Sequence, residues 1–262
     1  MKPDYIIDTH SHIEMIQGQN VDETLRQAFE YGVKKIILPC SDPDDLDIVN
    51  ELSVKYDNVY SLLGVHPNDA VKWNDNLIDK IKGFIKNNKK VVGIGEIGLD
   101  YHYGKEDAAI QRDVFIKQLK LANELNMPIC VHDRDAHGET MEILKEFNQN
   151  SKIVMHCFSG SVEYMRECLK MGMYIALGGV VTFKNAQKTH EVAREIPLDR
   201  LLLETDAPFL TPEPHRGEEN VPAYTKFVAE RIALLKEIPV EEVIAQTTIN
   251  AHELYNLGEI SL

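Results

Sequence analysis

Short apolar runs recur along this chain, separated by stretches with helical spacing. The runs predict eight strands, at residues 4–8, 35–38, 59–65, 91–95, 129–131, 152–155, 173–177 and 200–204. Most are too uniformly apolar to have one wet face, which is the pattern of parallel strands buried on both sides. Between them, apolar residues return every three or four positions. Residues 22–31 place Leu25, Ala28 and Phe29 on one face behind a capping Asp22. Residues 108–126 form the clearest helix, with Phe115, Leu119, Ala122 and Leu125 in register. It stops before Met127–Pro128, because proline disfavours helix in the residue before it. Residues 139–147, 162–171, 185–194 and 222–236 are further helices, and 240–255 closes the chain as an extra C-terminal helix.

Eight strand-then-helix units predict an α/β protein. Right-handed crossovers repeated eight times close into a (β/α)8 barrel. The alternative, an open doubly wound sheet, gathers its ligands at one switch crevice. Here the chemistry-bearing residues follow strands 1, 4, 5, 6 and 8, which suits a closed ring better. No linker or low-complexity stretch divides the chain, so residues 1–262 are expected to form a single domain. The proline-rich segment 211–222 reads as a long loop over the barrel mouth.

Composition narrows the picture. The 262 residues are 44% hydrophobic and 27% charged, a soluble globular balance. No apolar stretch approaches the roughly 20 residues a membrane span needs, and the first residues do not read as a secretory signal. Cys40, Cys130, Cys157 and Cys168 form no CxxC pair and no zinc-finger spacing. Reduced, mostly buried thiols and a cytoplasmic location are expected. The net charge of −14 excludes broad phosphate neutralisation along a duplex. It does not exclude a local anion site, since two divalent cations would outweigh two carboxylates and a hydroxide between them.

The candidate chemistry lies where strands hand over to loops. His10 and His12 follow strand 1 as HxH. Residues i and i+2 of an extended chain face the same side, so both imidazoles aim at one point. Glu96 ends VVGIGE. It is either a carboxylate at a tight glycine-flanked turn or a bridging ligand, its two oxygens holding two cations. A lone histidine at a strand end is usually core, but His132 and His156 occupy equivalent positions beside the HxH pair. Asp206 ends LLLETD, placed to bind metal and to take a proton from an attacking water. These six residues suit two divalent cations, zinc, manganese or magnesium, with Asp206 and Glu96 as the catalytic pair. Around them, Asp100 and Glu204 are candidates for orienting the ligands. His66, Arg134 and Arg216 are candidates for contacting an anionic substrate, with loop packing or plain solvation as the alternatives. His102 reads as a loop residue or an orienting partner, and His137 as peripheral.

With these residues in view, the segments DTHSHI, GVHP, GEIGLD, HDRDA, HCFSG and LLLETDAPFL, and the loop from Arg216 to Pro222, resemble the TatD family of metal-dependent deoxyribonucleases, within the amidohydrolase-like TIM barrels. The resemblance spans nearly the whole chain, and none of the six ligand positions departs from it. It implies a TIM barrel, those six ligands, and nuclease activity that includes 3′-5′ trimming of single-stranded DNA. Glu96 stands where many amidohydrolases carry a carbamylated lysine. The expected partner is therefore DNA, as single strands or ends, with no membrane and no obligate protein partner. Two alternatives remain. One is a metal-dependent hydrolase of an ester or amide, of amidohydrolase or aminoacyl-ester deacylase type. The other is a catalytically silent barrel that binds or carries metal.

Overall fold

The computed structural model describes residues 2–258. Eight strands pair in chain order in one parallel sheet: β1 (Ile6–Asp8), β2 (Val33–Pro39), β3 (Val59–Leu63), β4 (Val91–Asp100), β5 (Ile129–Arg134), β6 (Ile153–Met155), β7 (Tyr174–Leu177) and β8 (Leu201–Leu203). The helices between them are α1 (Val21–Glu30), α2 (Leu46–Lys55), α3 (Asn76–Asn87), α4 (Ala108–Leu125), α5 (His137–Phe147), α6 (Val162–Lys170) and α7 (Gln187–Glu195). Two more, α8 (Thr225–Lys236) and α9 (Val240–Tyr255), follow β8. The sequence pattern leaves α2 and α3 unassigned and places most other elements to within a few residues. The chain groups into two compact units. Residues up to Leu38 and from Cys157 onward form one, and Pro39–His156 the other.

In the first unit, β1 pairs with β2 and β7 with β8. The backbone and hydroxyl of Thr9 both donate to the Leu203 carbonyl, at 3.0 and 2.9 Å, joining the end of β1 to β8. Ile36, Ile37 and Leu38 of β2 and Leu201 and Leu202 of β8 are fully buried, which explains their apolar runs. Helix α9 braces this sheet through polar groups. Buried Asn250 donates to the carbonyls of Leu198 and Leu201, and Thr248 to that of Tyr5. The Tyr5 hydroxyl meets His252 Nε2 at 2.8 Å.

In the second unit, β4 lies between β3 and β5, and β5 pairs with β6. Strand β4 runs on to Asp100, well past the end its sequence predicts. The glycines of GIGEIG, which read as a turn, serve close approach instead. A Cβ on Gly95 would lie 2.7 Å from the Cys130 Cβ, and one on Gly98, whose φ is 150°, would lie 1.9 Å from the His132 carbonyl oxygen. The register against β5 shifts between Ile94 and Ile97, so Glu96 sits in an irregularity, a device that re-aims a side chain. Helix α4 clamps this region with two buried glutamines seven residues apart, hence on one face. Gln111 pairs with both backbone groups of Asp100, and Gln118 with both of Val65.

Candidate functional site

The first unit brings His10, His12 and Asp206 together. Both histidines lie beyond β1 rather than within it. The chain stays extended there because Ser11 bridges to Ala207 and His12 N–H donates to the Ala207 carbonyl at 2.7 Å. The alternation that HxH requires therefore persists outside the strand. The two rings meet edge to face, centroids 5.2 Å apart, and each Nε2 lies 3.7 Å from the same oxygen, Oδ1 of Asp206. That is too long for a hydrogen bond. It is close to the spacing of about 3.4 Å between donors around one tetrahedral cation with bonds near 2.1 Å. Asp206 itself adopts φ 58°, a left-handed conformation uncommon outside glycine. Its own N–H donates to the His10 carbonyl, and Phe209 N–H donates to the Asp206 carbonyl, both at 2.9 Å. Below it, fully buried Asp8 accepts from His10 N–H, Thr205 N–H and the Thr205 hydroxyl. Burial pushes the Asp8 carboxyl up to about 8 despite those bonds.

The second unit gathers Glu96, His132, His156, His66 and Asp100. Glu96 and His132 lie within β4 and β5, not at their ends as the sequence suggests, because both strands run longer. His156 directly follows β6. Oε1 of Glu96 lies 2.7 Å from His132 Nδ1, 2.8 Å from His156 Nε2 and 3.6 Å from His66 Nε2. His132 Nε2 contacts Asp100 Oδ2 at 2.9 Å, which fixes the ring and directs Nδ1 at Glu96. Burial opposes charge on His132, but the bonds to Asp100 and Glu96 hold its pKa above the ordinary value. His66 does not end β3; it caps the short helical turn that starts at Pro67. Its Nδ1 accepts from Asn68 N–H, so the ring proton resides on Nε2. Burial, then the neighbouring His132, pushes its pKa down to about 3 and keeps it neutral.

Each group is a histidine–carboxylate set of the kind that holds borderline divalent cations. The donor spacing in the first and the carboxylate-oriented imidazole in the second fit such an ion.

The TatD related DNase family matches this chain over residues 7–256. The chain belongs to that family. It is similar to the metal-dependent hydrolase YabD of Bacillus subtilis, with 44% identity over 97% of this chain and 100% of the relative. It is also similar to the metal-dependent hydrolase YcfH of Escherichia coli, with 37% identity over 97% and 96%. The solved structure of the TatD homologue YjjV from Escherichia coli superposes with a TM-score of 0.89 at 32% identity, covering 96% of this chain and 98% of that one. The fold is thus the α/β barrel class of TatD proteins, and the chain is a metal-dependent hydrolase.

The remaining expected residues of this TatD protein fall as follows. Buried Glu204 accepts from Cys157 N–H at 2.6 Å, fixing the backbone just after His156. Arg134 ends β5 in an exposed position, its guanidinium 5.6 Å from the Tyr103 ring. Arg216 stacks 4.0 Å over Phe183 and donates to the Thr211 carbonyl. His102 pairs with Asp135, and His137 with Asp133.

Sequence reasoning passes over Asp8, Glu14 and Phe209. Asp8 and Glu14 stand two residues from His10 and His12 in DTHSHIE, a spacing that signals them in retrospect. Glu14 Oε1 lies 3.6 Å from His12 Nδ1. Among the described residues, no helix is long and apolar enough to cross a membrane.

Proposed function

We propose that this protein is a deoxyribonuclease that hydrolyses phosphodiester bonds at DNA ends by two-metal-activated water, trimming in the 3′-5′ direction. The reading rests on family membership and on one observation: Asp206 Oδ1 equidistant from two imidazole nitrogens at non-bonding distance. In this proposal His10, His12, Glu96, His132, His156 and Asp206 hold two divalent cations, zinc, manganese or magnesium. When bound, the cations lower the pKa of a coordinated water and offset phosphate charge.

The protein's own groups do the rest. The Asp206 side chain is 16% exposed, while His10 and His12 are 0% and 5% exposed, so it is the member of its group that reaches solvent. It takes the proton from the attacking water. Asp100 holds the His132 ring, and Glu204 holds the backbone at Cys157. The Nε2–H of His66 is a neutral donor for a phosphate oxygen. Arg134 and Arg216 offer guanidinium forks for flanking phosphates.

The test is hydrolysis of end-labelled single-stranded and duplex DNA by protein loaded with each metal, with and without chelator, beside a panel of esters and amides. Stepwise shortening from the 3′ end that stops with chelator is the expected result. Turnover confined to esters or amides would replace the nuclease reading with the alternative hydrolase.

A further inference from the structure

We propose that Phe209 is a stacking platform for the unpaired nucleobase beside the scissile phosphate. The inference rests on the nuclease reading above and extends it to the choice of substrate end. A single exposed apolar residue is ordinary on a protein surface, so exposure alone says nothing. The placement of Phe209 does. Its residue is 51% exposed, yet its main chain is pinned by hydrogen bonds on both sides. Its N–H donates to the carbonyl of Asp206. Its own carbonyl accepts at 2.6 Å from the side-chain amide of Asn220, which is fully buried and also donates to the Thr205 carbonyl. Asn220 N–H closes the turn on the Pro208 carbonyl at 3.2 Å. The ring stands edge-on to the His12 imidazole, centroids 6.4 Å apart at 68°. An aromatic ring on a pinned main chain thus stands beside a carboxylate–imidazole group, with half its residue surface left to solvent.

A phosphate held at that group carries its sugar and base outward. Nucleobases stack on aromatic rings with little regard to sequence. In a duplex both faces of an internal base are covered by its neighbours, and a terminal base is held by pairing to the other strand, so an unpaired terminal base is the one free to turn onto Phe209. The ring therefore selects for frayed or single-stranded ends without any base-specific hydrogen bond. It also needs no basic groove, consistent with a net charge of −14.

The test compares wild type, Phe209→Ala and Phe209→Trp on a single strand with a normal terminal nucleotide and on the same strand with an abasic terminus. On the normal strand, Phe209→Ala should raise KM about ten-fold, the size of one base–aromatic stack. It should leave KM on the abasic strand and the bound metal content unchanged, and Phe209→Trp should restore the wild-type value. A second readout uses a strand with 2-aminopurine at the terminus and a phosphorothioate in place of the terminal linkage. Its fluorescence should be quenched on binding to wild type and stay bright with Phe209→Ala. Equal losses on both strands, or no loss on either, would overturn the platform while leaving the nuclease reading intact. Failure of wild type to cleave either strand would overturn the nuclease reading and the platform with it.

Discussion

The two histidine–carboxylate groups use the same donor types but are built in opposite ways. In the second unit, Glu96 and His132 sit within strands. Oε1 of Glu96 lies within 2.8 Å of nitrogens of both His132 and His156. That group is held together by its own side chains and by Gln111 and Gln118 from α4. In the first unit, His10, His12 and Asp206 sit on chain just beyond strands, and Asp206 Oδ1 lies 3.7 Å from Nε2 of each ring. That group is held apart by backbone bonds from Asp8, Ala207 and Asn220. A strand-borne group keeps its shape through direct contacts. A loop-borne group depends on the brackets around its backbone, and that leaves its donor atoms at the spacing of ligands rather than of hydrogen-bond partners.

The sharpest way to probe this contrast is Asp206→Asn. Asparagine tolerates the left-handed backbone that Asp206 adopts, so the fold should survive. Turnover should fall about a thousand-fold, the range for a lost general base, with circular dichroism unchanged and much of the metal retained. Wild-type kcat in this variant would remove Asp206 from the chemistry.

Next in size is Asp100→Asn in the other group. The His132 ring would lose its charged anchor, and metal affinity or activity should drop about 10- to 100-fold. Titration of the metal-free variant with zinc measures this directly. An unchanged affinity would mean that Glu96 alone orients the ring.

The smallest effect separates the two units by pH. In the first unit, burial pushes the His252 pKa down against the backbone bond to the Gly258 carbonyl. Below about pH 6.5 the unfolded chain takes up a proton that the folded chain resists, so stability falls as pH drops. The raised pKa of His132 acts with the opposite sign: its contribution is present at low pH and lost as pH rises through the folded value. Melting at pH 7.5 and 5.5 should show a wild-type decrease that exceeds that of His252→Gln by on the order of 2 °C. Equal decreases would mean that His252 titrates normally in the fold.

Most of the elements, and the grouping of histidines with carboxylates, were legible in the sequence for a physical reason. Parallel strands are runs of buried aliphatics, so an imidazole or carboxylate at the end of such a run stands out, as His156 does after IVM and Asp206 after LLLET. What stayed hidden depends on tertiary geometry. Glycines mark turns locally but here mark close strand approach, so the run of β4 through Glu96 to Asp100 looked like a break. Gln111 and Gln118 are polar residues on a buried face, and only the backbone groups they serve explain them. Phe209 drew no notice within LLLETDAPFL, because nothing in the sequence tells a packed ring from an exposed one. The brackets on Asp8 and Asn220 join residues almost 200 positions apart or cross a loop, distances over which local pattern carries no information.

The glycines just after β3 and within β4 carry one more implication. A methyl group on Gly64 would meet the Gly95 backbone at 2.9 Å, and one on Gly95 would meet Cys130 at 2.7 Å. The backbone just before Glu96 is therefore closely packed on both sides, against Gly64 and against Cys130. An added atom at either glycine would push these segments apart. Variation in substrate shape therefore falls to the loops rather than to these two positions, which admit no added side chain.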